Sequence, residues 1–261
     1  MHLEQAVVVS SEPAYENTHL LWLSAAAVGR AAGAGQFLMV RCGEGYDPLL
    51  PRPMSFHRFR RTDSERQFAM LFDIRGRGTE WLARRVPGDA IDIFGPLGRG
   101  FAVDKASQNL LLVAGGIGVA ALVALADEAA AEGRSLTLLQ GARTAALLFP
   151  TALLPPEVEV ATATDDGSAG HHGPVTDLLA QYLPWADQVF ACGPTPMFRA
   201  MATVVRQQGP AGEASRKPVQ VLLEERMGCG TGVCYSCAVF TRRGVRLVCK
   251  DGPRFELREV F

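Results

Sequence analysis

The chain has 261 residues and a mass of 28.0 kDa, which is long enough for one large domain or for two to three small ones. Its 48% hydrophobic and 20% charged residues can bury a sizeable core, which excludes a disordered or low-complexity chain. Lysine and arginine number 26 against 27 aspartates and glutamates, so no bulk basic charge attracts nucleic acid or an anionic membrane. Residues 1–5 lack the basic and apolar segments of a secretory signal, so we expect a cytoplasmic protein.

The first hundred residues are typical of β structure. Short runs rich in β-branched and aromatic residues are separated by clusters of Gly, Pro and Asp, which predicts a small antiparallel barrel over residues 1–104. The predicted strands are Ala6–Val9, Thr18–Leu23, Gln36–Arg41 and Gln67–Ile74. One short helix is predicted over Gly78–Arg85, with Thr79 as its N-cap.

From Asn109 onward the pattern changes to a strand, a Gly-rich turn and an Ala-rich helix over Val119–Glu132. Further apolar strands alternate with helical segments, which predicts a parallel sheet with helices on its faces over residues 105–215. The other predicted elements are the strands Leu110–Ala114, Leu136–Gln140, Val158–Thr162 and Gln188–Cys192 and the helices Val175–Gln181 and Pro196–Gln208. The segment Gln208–Pro218 is rich in Gly, Pro and charge and predicts a linker to a small module over residues 216–261.

An uncharged run from Asn109 to Ala126 approaches the length of a membrane span. Gly115, Gly116 and Gly118 interrupt it in the middle. A buried parallel strand that leads into a helix produces the same apolar run, so we expect no membrane helix here.

Four of the six cysteines lie in the last 33 residues, with the spacing Cys229-x4-Cys234-x2-Cys237 and then Cys249 after eleven intervening residues. The first three follow the plant-type ferredoxin spacing for a [2Fe–2S] centre, and the glycines between them let main-chain N–H groups turn toward the sulfurs. A four-Cys zinc site usually shows two Cys-x2-Cys pairs, and only one is present, so the spacing favours iron–sulfur over zinc. Cys42 and Cys192 stand alone and are expected to pack as small apolar groups.

A second motif, Arg52-Pro53-Met54-Ser55, follows a predicted strand. Arg52 offers a planar fork for a phosphate, and Ser55 offers a hydroxyl to the ring nitrogens of a cofactor. The match is weak by itself, because a solvated Arg beside a Pro turn has the same sequence. The interpretation as a cofactor motif is strengthened by the segment Gly76-Arg77-Gly78-Thr79, where glycines permit the close approach of a diphosphate to a helix start.

A third motif follows the strand Leu110–Ala114. Gly116 begins a relaxed G-x-G-x-x-A sequence at a strand-to-helix turn, where a pyrophosphate would meet main-chain N–H groups. The next strand ends in Ala142 and Arg143 rather than in the carboxylate of a usual Rossmann NAD site, so simple strand–helix packing remains an alternative. Loops at two other strand ends, around Asp165 and over Cys192-Gly193-Pro194, would line the same ligand crevice.

Two other features are interpreted as solvent-exposed segments without a functional site. His171 and His172 lie in a Gly-rich segment without a nearby pair of carboxylates, so they are interpreted as a solvated loop rather than a metal site. The basic runs that contain Arg58, Arg60 and Arg61 and then Arg242 and Arg243 are expected to face solvent.

The ordered set of these motifs, together with Gly95-Pro96-Leu97-Gly98, resembles the ferredoxin–NADP reductase superfamily. It looks most like the electron-transfer subunits of type B dihydroorotate dehydrogenase, because of the ending Cys249-Lys250-Asp251-Gly252-Pro253-Arg254-Phe255. The likeness covers nearly the whole chain. It implies an FAD-binding barrel, an NAD-binding α/β domain and a small [2Fe–2S] module with Cys229, Cys234, Cys237 and Cys249 as ligands.

The resemblance also implies a role for each motif. FAD would be bound by Arg52, Pro53, Met54, Ser55, Leu71, Phe72, Asp73, Gly78 and Thr79, with Ser55 near the flavin N5. NAD would be bound by Gly115, Gly116, Gly118, Asp165, Cys192, Gly193 and Pro194. Many relatives carry Pro where this chain has Ala121, which weakens the inference for the nicotinamide pocket but not for the flavin.

The function implied is an electron relay in pyrimidine biosynthesis. Electrons would pass from the FMN of a separate catalytic subunit through [2Fe–2S] and FAD to NAD⁺, in a heterotetramer with two copies of each chain. No side chain need act as an acid or base in such a relay, so no catalytic residue is predicted.

Two alternatives stay open. One is an NAD(P)H-linked reductase subunit of a hydrogenase or of a ferredoxin-dependent transhydrogenase, which has a similar FAD and NAD core. The other is a zinc-stabilised interaction module without redox function. The preference for NAD over NADP is not decided by the residues, since Arg143 supports either dinucleotide.

Overall fold

A computed structural model describes residues 1–62, 66–208 and 217–261. The amino-terminal part is a seven-stranded antiparallel sheet in the order β4-β3-β7-β1-β2-β6-β5, which curls into an open barrel. Its strands are β1 (His2–Tyr15), β2 (Thr18–Ser24), β3 (Phe37–Val40), β4 (Arg52–Ser55), β5 (Arg58–Arg61), β6 (Arg66–Asp73) and β7 (Ala90–Leu97). Its helices are α1 (Ala26–Ala31) and α2 (Arg77–Ala83). The predicted antiparallel barrel is confirmed.

The second part is a seven-stranded sheet in the order β11-β10-β9-β8-β12-β13-β16, parallel except for β16. Its strands are β8 (Asn109–Gly115), β9 (Ser135–Ala142), β10 (Val158–Thr164), β11 (His171–His172), β12 (Gln188–Cys192), β13 (Val219–Leu222) and β16 (Arg254–Glu256). The α-helices are α3 (Val123–Ala131), α4 (Thr176–Tyr182) and α5 (Thr195–Gln207), and 3₁₀ turns cover Gly116–Ala121, Ala145–Leu147 and Thr151–Leu153. This is the predicted α/β arrangement.

The carboxy-terminal segment adds a hairpin of β14 (Ala238–Thr241) and β15 (Gly244–Leu247), followed by α6 (Val248–Asp251) and α7 (Leu257–Val260). β13 and β16 flank this hairpin in sequence but extend the parallel sheet, so the segment is anchored on the second part of the molecule. Of the predicted linker Gln208–Pro218, residues 209–216 lie outside the described residues.

Burial explains the change of pattern along the chain. β7 alternates between more exposed and buried side chains, because an antiparallel strand turns one face to the barrel core and one toward solvent. β12 is buried throughout and β8 is buried except at its two ends, because hydrophobic clusters cover both faces of the parallel sheet. The run 109–126 is therefore a buried strand, a 3₁₀ turn and part of a helix, and no helix among the described residues is long and apolar enough to cross a membrane.

Helix α2 begins one residue before the predicted helix Gly78–Arg85 and has a different N-cap residue. It begins at Arg77 with Gly76 at the N-cap position, so Thr79 is its third residue and the prediction of Thr79 as N-cap is wrong. The Thr79 hydroxyl still serves the helix start, since Oγ1 accepts a hydrogen bond from Arg75 N (2.9 Å) and donates one to Gly76 O (3.1 Å). The error arose because a Thr within the first turn can reach backward to the same main-chain groups that an N-cap residue satisfies.

Two consecutive residues after the flavin-type motif join the barrel to the parallel sheet. The His57 ring is buried, and its Nδ1 lies 3.0 Å from the carbonyl oxygen of Ala120 in the 3₁₀ turn. Arg58 donates two hydrogen bonds to the carboxylate of Asp127 on α3, at 2.6 and 3.0 Å, and a third to Leu153 O at 2.8 Å. The prediction that Arg58 faces solvent is therefore wrong, because its partners belong to a segment distant in sequence.

The junction predicts a pH dependence of stability. Burial lowers the pKa of His57 to about 4, whereas an unfolded chain takes up this proton at about pH 6.5. The contribution of the neutral His57 ring to the free energy of unfolding is therefore fully present above pH 6.5. It falls as the pH drops toward 4, because only the unfolded state binds the proton in that window. Between pH 7 and 5 we expect the wild type to lose about 2 kcal/mol more than His57→Gln does, measured by urea unfolding. The exposed His172→Gln variant should keep the wild-type dependence, and equal losses in His57→Gln and wild type would contradict the assignment.

Candidate functional site

A large cavity of about 1050 Å³ lies between the barrel and the parallel sheet. It is lined by two segments of the barrel, the edge strand β4 and the end of β6, which are separated by four strands in the sheet order but contact each other across the curled sheet. The predicted flavin-site residues that line it are Arg52, Pro53, Met54, Ser55, Leu71, Phe72, Asp73 and Thr79. Eight of the nine residues predicted for the flavin site therefore line one cavity.

Gly78, the remaining predicted flavin-site residue, does not line the cavity but packs against Arg52, which does. A Cβ atom at Gly78 would lie 3.1 Å from Arg52 Nε and 3.3 Å from Cys42 Cβ, so the absence of a side chain lets α2 pack against Arg52. The Arg52 guanidinium also donates to Leu50 O at 2.7 Å. Cys42 is fully buried and packs as a small apolar group, as predicted.

A second cavity of about 580 Å³ opens at the carboxyl ends of the parallel strands. It is lined by Gly115, Gly116, Gly118, Asp165, Gly193 and Pro194, together with Arg143. Cys192, which was predicted in this set, lines the first cavity instead and is buried. The observed turn after β8 is a 3₁₀ turn over Gly116–Ala121 rather than the start of the predicted helix Val119–Glu132.

The glycine turn and the Cys-Gly-Pro loop touch through their main chains. A Cβ atom at Gly118 would lie 2.2 Å from Cys192 O and 2.9 Å from Gly193 N. One at Gly115 would lie 2.7 Å from Pro194 Cδ. These glycines are therefore required for packing between the two loops, in addition to any contact with a ligand.

Four residues line both cavities, so the two cavities meet. They are Asp73, Arg75, Ile117 and Glu224. Arg75 pairs with Asp73 (Nε to Oδ2, 3.0 Å), and the buried Cys192 thiol donates a long hydrogen bond to Glu224 Oε1 at 3.7 Å. The surrounding cleft desolvates Glu224 and raises its pKa, and burial raises the pKa of the Cys192 thiol. A carboxyl and a thiol, each with a raised pKa, therefore lie at the junction.

Sequence reasoning missed Arg75 and Glu224 at this junction. Arg75 immediately precedes the Gly-Arg-Gly-Thr motif, and Glu224 ends the apolar segment before the cysteines. Their positions next to two recognised motifs were the available signal. Their convergence comes from packing between the barrel and the sheet, which no local pattern encodes.

The four clustered cysteines form two pairs. The thiols of Cys229 and Cys234 are hydrogen-bonding neighbours, and so are those of Cys237 and Cys249. The first pair is the more exposed one and the second is buried. Cys229 Sγ accepts hydrogen bonds from the main-chain N–H groups of Thr231 (3.4 Å), Val233 (3.4 Å) and Cys234 (3.5 Å).

This donor set fits a two-iron cluster. Each iron of a [2Fe–2S] centre takes two cysteine thiolates, and the two pairs supply them. Hydrogen bonds from the Thr231 side chain and from main-chain N–H groups lower the pKa of Cys229 to about 5, which favours the thiolate that a metal needs. Burial raises the pKa of Cys249 to about 12. In the described part of the chain, no three His, Cys, Asp or Glu side chains are close enough to hold one metal ion together.

The cysteine module borders the first cavity at two points. Met227, two residues before Cys229, lines the cavity, and so does Pro253, four residues after Cys249. Pro253 is held in place by main-chain hydrogen bonds, since its carbonyl accepts from Leu223 N (2.9 Å) and the preceding Gly252 carbonyl accepts from Arg99 N (2.6 Å). The ending Cys249–Phe255 therefore connects a cysteine of the cluster site to the cavity wall.

The histidine pair lies at the edge of the parallel sheet. His171 and His172 are exposed and form the short edge strand β11 rather than the predicted loop. His171 Nε2 lies 3.1 Å from Asp177 Oδ2.

Comparison with solved structures defines the class of protein. The chain is similar to a chain of the NADH-dependent reduced ferredoxin–NADP oxidoreductase, with a TM-score of 0.83 and 29% identity over 98% of this chain and 89% of that one. It shares the fold of a ferredoxin–NADP⁺ reductase from Neisseria gonorrhoeae with bound FAD and NADP, with a TM-score of 0.66 and 16% identity over 86% and 98% of the two chains. The fold and site define a flavin reductase of the ferredoxin–NADP reductase type, with binding sites for FAD, NAD and [2Fe–2S].

Sequence relatives narrow this class. Residues 224–261 match the family model for the iron–sulfur cluster binding domain of dihydroorotate dehydrogenase B. The electron transfer subunit of dihydroorotate dehydrogenase B (NAD⁺) from Desulforamulus reducens is 39% identical, over 92% of this chain and 90% of the relative. The subunit of the same name from Geobacillus thermodenitrificans is 38% identical over 98% of both chains. The chain belongs to the family of dihydroorotate dehydrogenase B electron transfer subunits.

Proposed function

We propose that this chain relays electrons to NAD⁺ in an NAD-dependent dihydroorotate dehydrogenase complex of pyrimidine biosynthesis. The observation that carries the proposal is the contiguity of three sites in one chain. The cysteine module borders the first cavity through Met227 and Pro253, and the first cavity meets the second at Asp73, Arg75, Ile117 and Glu224. The relatives' shared name supports dihydroorotate as the electron source.

Each site has a proposed occupant. When bound, a [2Fe–2S] cluster carries single electrons and FAD exchanges electron pairs with NAD⁺ as hydride. Arg52 and Thr79 would hold the FAD diphosphate, and Ser55 would face the flavin ring. Gly115, Gly116 and Gly118 with Gly193 and Pro194 would receive NAD, while Asp165 would bind a ribose hydroxyl. In this scheme residues 1–104, 105–215 and 216–261 serve FAD, NAD and the cluster in turn.

The side chains of the chain position the carriers and keep water out. Leu71, Phe72 and Leu222 give the first cavity apolar walls, and Pro253 closes it on the side of the cysteines. Burial raises the pKa of the Cys192 thiol, so this side chain adds no negative charge where the nicotinamide would meet the flavin. Such a site supplies orientation and a low local dielectric rather than acid–base catalysis.

We also propose a catalytic partner subunit with FMN, with two copies of each chain in the complex. Four large apolar side chains of the cysteine module are exposed: Val233 (77%), Tyr235 (65%), Phe240 (85%) and Val245 (49%). We call these four residues the docking patch. Val233 and Tyr235 flank the exposed ligand Cys234, so a partner seated there would meet the cluster. None of the six cysteines, all of which the structure describes, forms a disulfide, which supports a reducing compartment such as the cytoplasm.

The docking patch supports a mutational prediction. We expect Phe240→Glu to weaken binding of the catalytic subunit by roughly tenfold or more, because a charge would be buried at an apolar interface. Isothermal titration or size-exclusion chromatography of mixed subunits measures this. Iron content and NADH oxidation by an artificial acceptor should stay at the wild-type level. Val86→Glu, at an exposed apolar residue of the barrel, is the matched control, and equal affinities for both variants would contradict the docking face.

The proposed function is tested by anaerobic purification, a visible absorption spectrum and quantification of iron and flavin. We expect flavin bands and about two irons per chain, and NAD⁺ reduction by dihydroorotate once the catalytic subunit is added. Flavin without iron, or zinc in place of iron, would overturn the relay. Reduction of NAD⁺ by reduced ferredoxin but not through the catalytic subunit would instead favour a ferredoxin-dependent transhydrogenase, the activity suggested by the similarity to the NADH-dependent ferredoxin–NADP oxidoreductase.

A further inference from the structure

Two side-chain hydroxyls lie against the more exposed pair of cysteines. Ser236 Oγ is 3.2 Å from Cys234 Sγ. The Thr231 side chain forms a hydrogen bond with the thiol of Cys229, in addition to the main-chain bond from its own N–H at 3.4 Å. Each sulfur of this pair therefore has a hydroxyl neighbour.

The direction of the Ser236 hydrogen bond follows from counting protons. Gly228 N–H donates to Ser236 Oγ at 3.0 Å, so the hydroxyl oxygen already accepts one hydrogen bond and its own proton is free to donate. A cysteine bound to iron is a thiolate and has no proton to give. The hydroxyl must therefore donate to Cys234 when the cluster is in place.

The buried pair, Cys237 and Cys249, has hydrogen bonds with the main chain instead. Cys249 N–H donates to Cys237 Sγ at 3.5 Å, and the Gly232 main chain bonds to Cys249. The donors on the two sides of the site therefore differ in kind. Main-chain donors are tied to the loop fold, whereas a hydroxyl can be removed by substitution without changing the loop.

We propose that the hydroxyls of Thr231 and Ser236 raise the reduction potential of the cluster by donating hydrogen bonds to Cys229 and Cys234. One-electron reduction adds negative charge to the iron–sulfur unit, and the thiolate sulfurs carry part of it. Hydrogen-bond donors to those sulfurs stabilise the reduced form more than the oxidised form. The inference rests on the proposed cluster and adds the residues that adjust its potential.

The test is a redox titration of the purified, cluster-loaded chain, followed by visible and electron paramagnetic resonance spectra. At a fixed ambient potential we expect Ser236→Ala and Thr231→Val each to lower the ratio of reduced to oxidised cluster by roughly five- to tenfold. Tenfold corresponds to about 59 mV for a one-electron couple. The variants Ser236→Thr and Thr231→Ser keep a hydroxyl and should restore the wild-type ratio. Thr241→Val is the matched control, because its hydroxyl bonds to Gly244 O in the hairpin turn.

The outcomes separate this inference from the proposed function. Full iron content with an unchanged midpoint potential in both Ser236→Ala and Thr231→Val would overturn the role of the hydroxyls and leave the cluster assignment intact. Absence of iron in the wild-type chain would overturn the proposed function itself. If either variant loses iron, Ser236→Gly and Thr231→Ala repeat the comparison on loaded protein, and an unchanged potential there also overturns the inference.

Discussion

Replacing Cys234 with Ser should abolish dihydroorotate-linked NAD⁺ reduction while leaving NADH oxidation by an artificial flavin acceptor near the wild-type rate. The thiol of Cys234 is exposed, so its removal costs little packing, but it is half of the pair that would hold one iron. We expect iron to fall well below two atoms per chain and the linked rate to fall more than about 100-fold. Cys234 lines neither of the two cavities proposed for FAD and NAD, so the reaction between the flavin and NADH should persist.

The measurement combines iron and flavin content with both activities on the same preparation. Cys229→Ser should reproduce the phenotype, because Cys229 is the other member of the pair. Arg243→Ser, on an exposed turn of the same module, serves as the control and should keep both activities. Wild-type iron content and an undiminished linked rate in Cys234→Ser would show that the cysteines do not hold the cluster.

Gly118→Ala should cause the second large loss, this time in the reaction with NADH. The new Cβ atom would lie 2.2 Å from Cys192 O and 2.5 Å from Cys192 C, and these are main-chain atoms that cannot rotate away. The glycine turn and the Cys-Gly-Pro loop must then separate. A displacement of about 1 Å between reacting groups costs about 100-fold in rate, so we expect kcat/KM for NADH to fall by about that factor. Iron content should stay at the wild-type level, since the cysteine module lies outside this contact, and flavin content is measured in parallel because Cys192 lines the first cavity.

Stopped-flow reduction of the flavin by NADH measures the effect directly. Gly133→Ala is the control, because Gly133 has φ of +74° with no atoms near its Cβ position. It should cost about 1 kcal/mol of stability through backbone strain and leave the kinetics unchanged. If Gly118→Ala does not fold, Gly115→Ala supplies a milder clash, mainly with side-chain atoms of Pro194 and Met197. Wild-type NADH kinetics in both variants would exclude a role for the loop contact.

Some features of the site could be predicted because their chemistry is local. The cysteine spacing places donor atoms of one kind within a short loop, and the ligand class follows from the donors. The glycines of the β8 turn were predicted as a dinucleotide contact, and the structure adds their tight packing against Cys192 and Pro194. The barrel was predicted from short β-rich runs separated by turn residues, and the parallel sheet from apolar strands that alternate with helical segments.

Other features could not be predicted because their partners come from distant segments. Arg58 was expected in solvent, but it pairs with Asp127, 69 residues further along the chain. Thr79 was expected at an N-cap, but the N-cap position is Gly76, three residues earlier, and the Thr79 hydroxyl donates backward to Gly76 O. Arg75 and Glu224 were not singled out, because only docking of the barrel on the sheet brings them together.

The sequence by itself therefore determined the fold class, the donor atoms and the order of the three predicted sites along the chain. These depend on residue type and short spacing, which are properties of neighbouring residues. Only the tertiary structure decided that the sites are contiguous, with Pro253 and Met227 beside the first cavity and four residues common to both cavities. Contiguity arises from packing between segments more than 100 residues apart, as where Arg99, just after the last barrel strand, donates its main-chain N–H to Gly252 O beside Pro253. A pattern confined to one segment carries no information about such a contact.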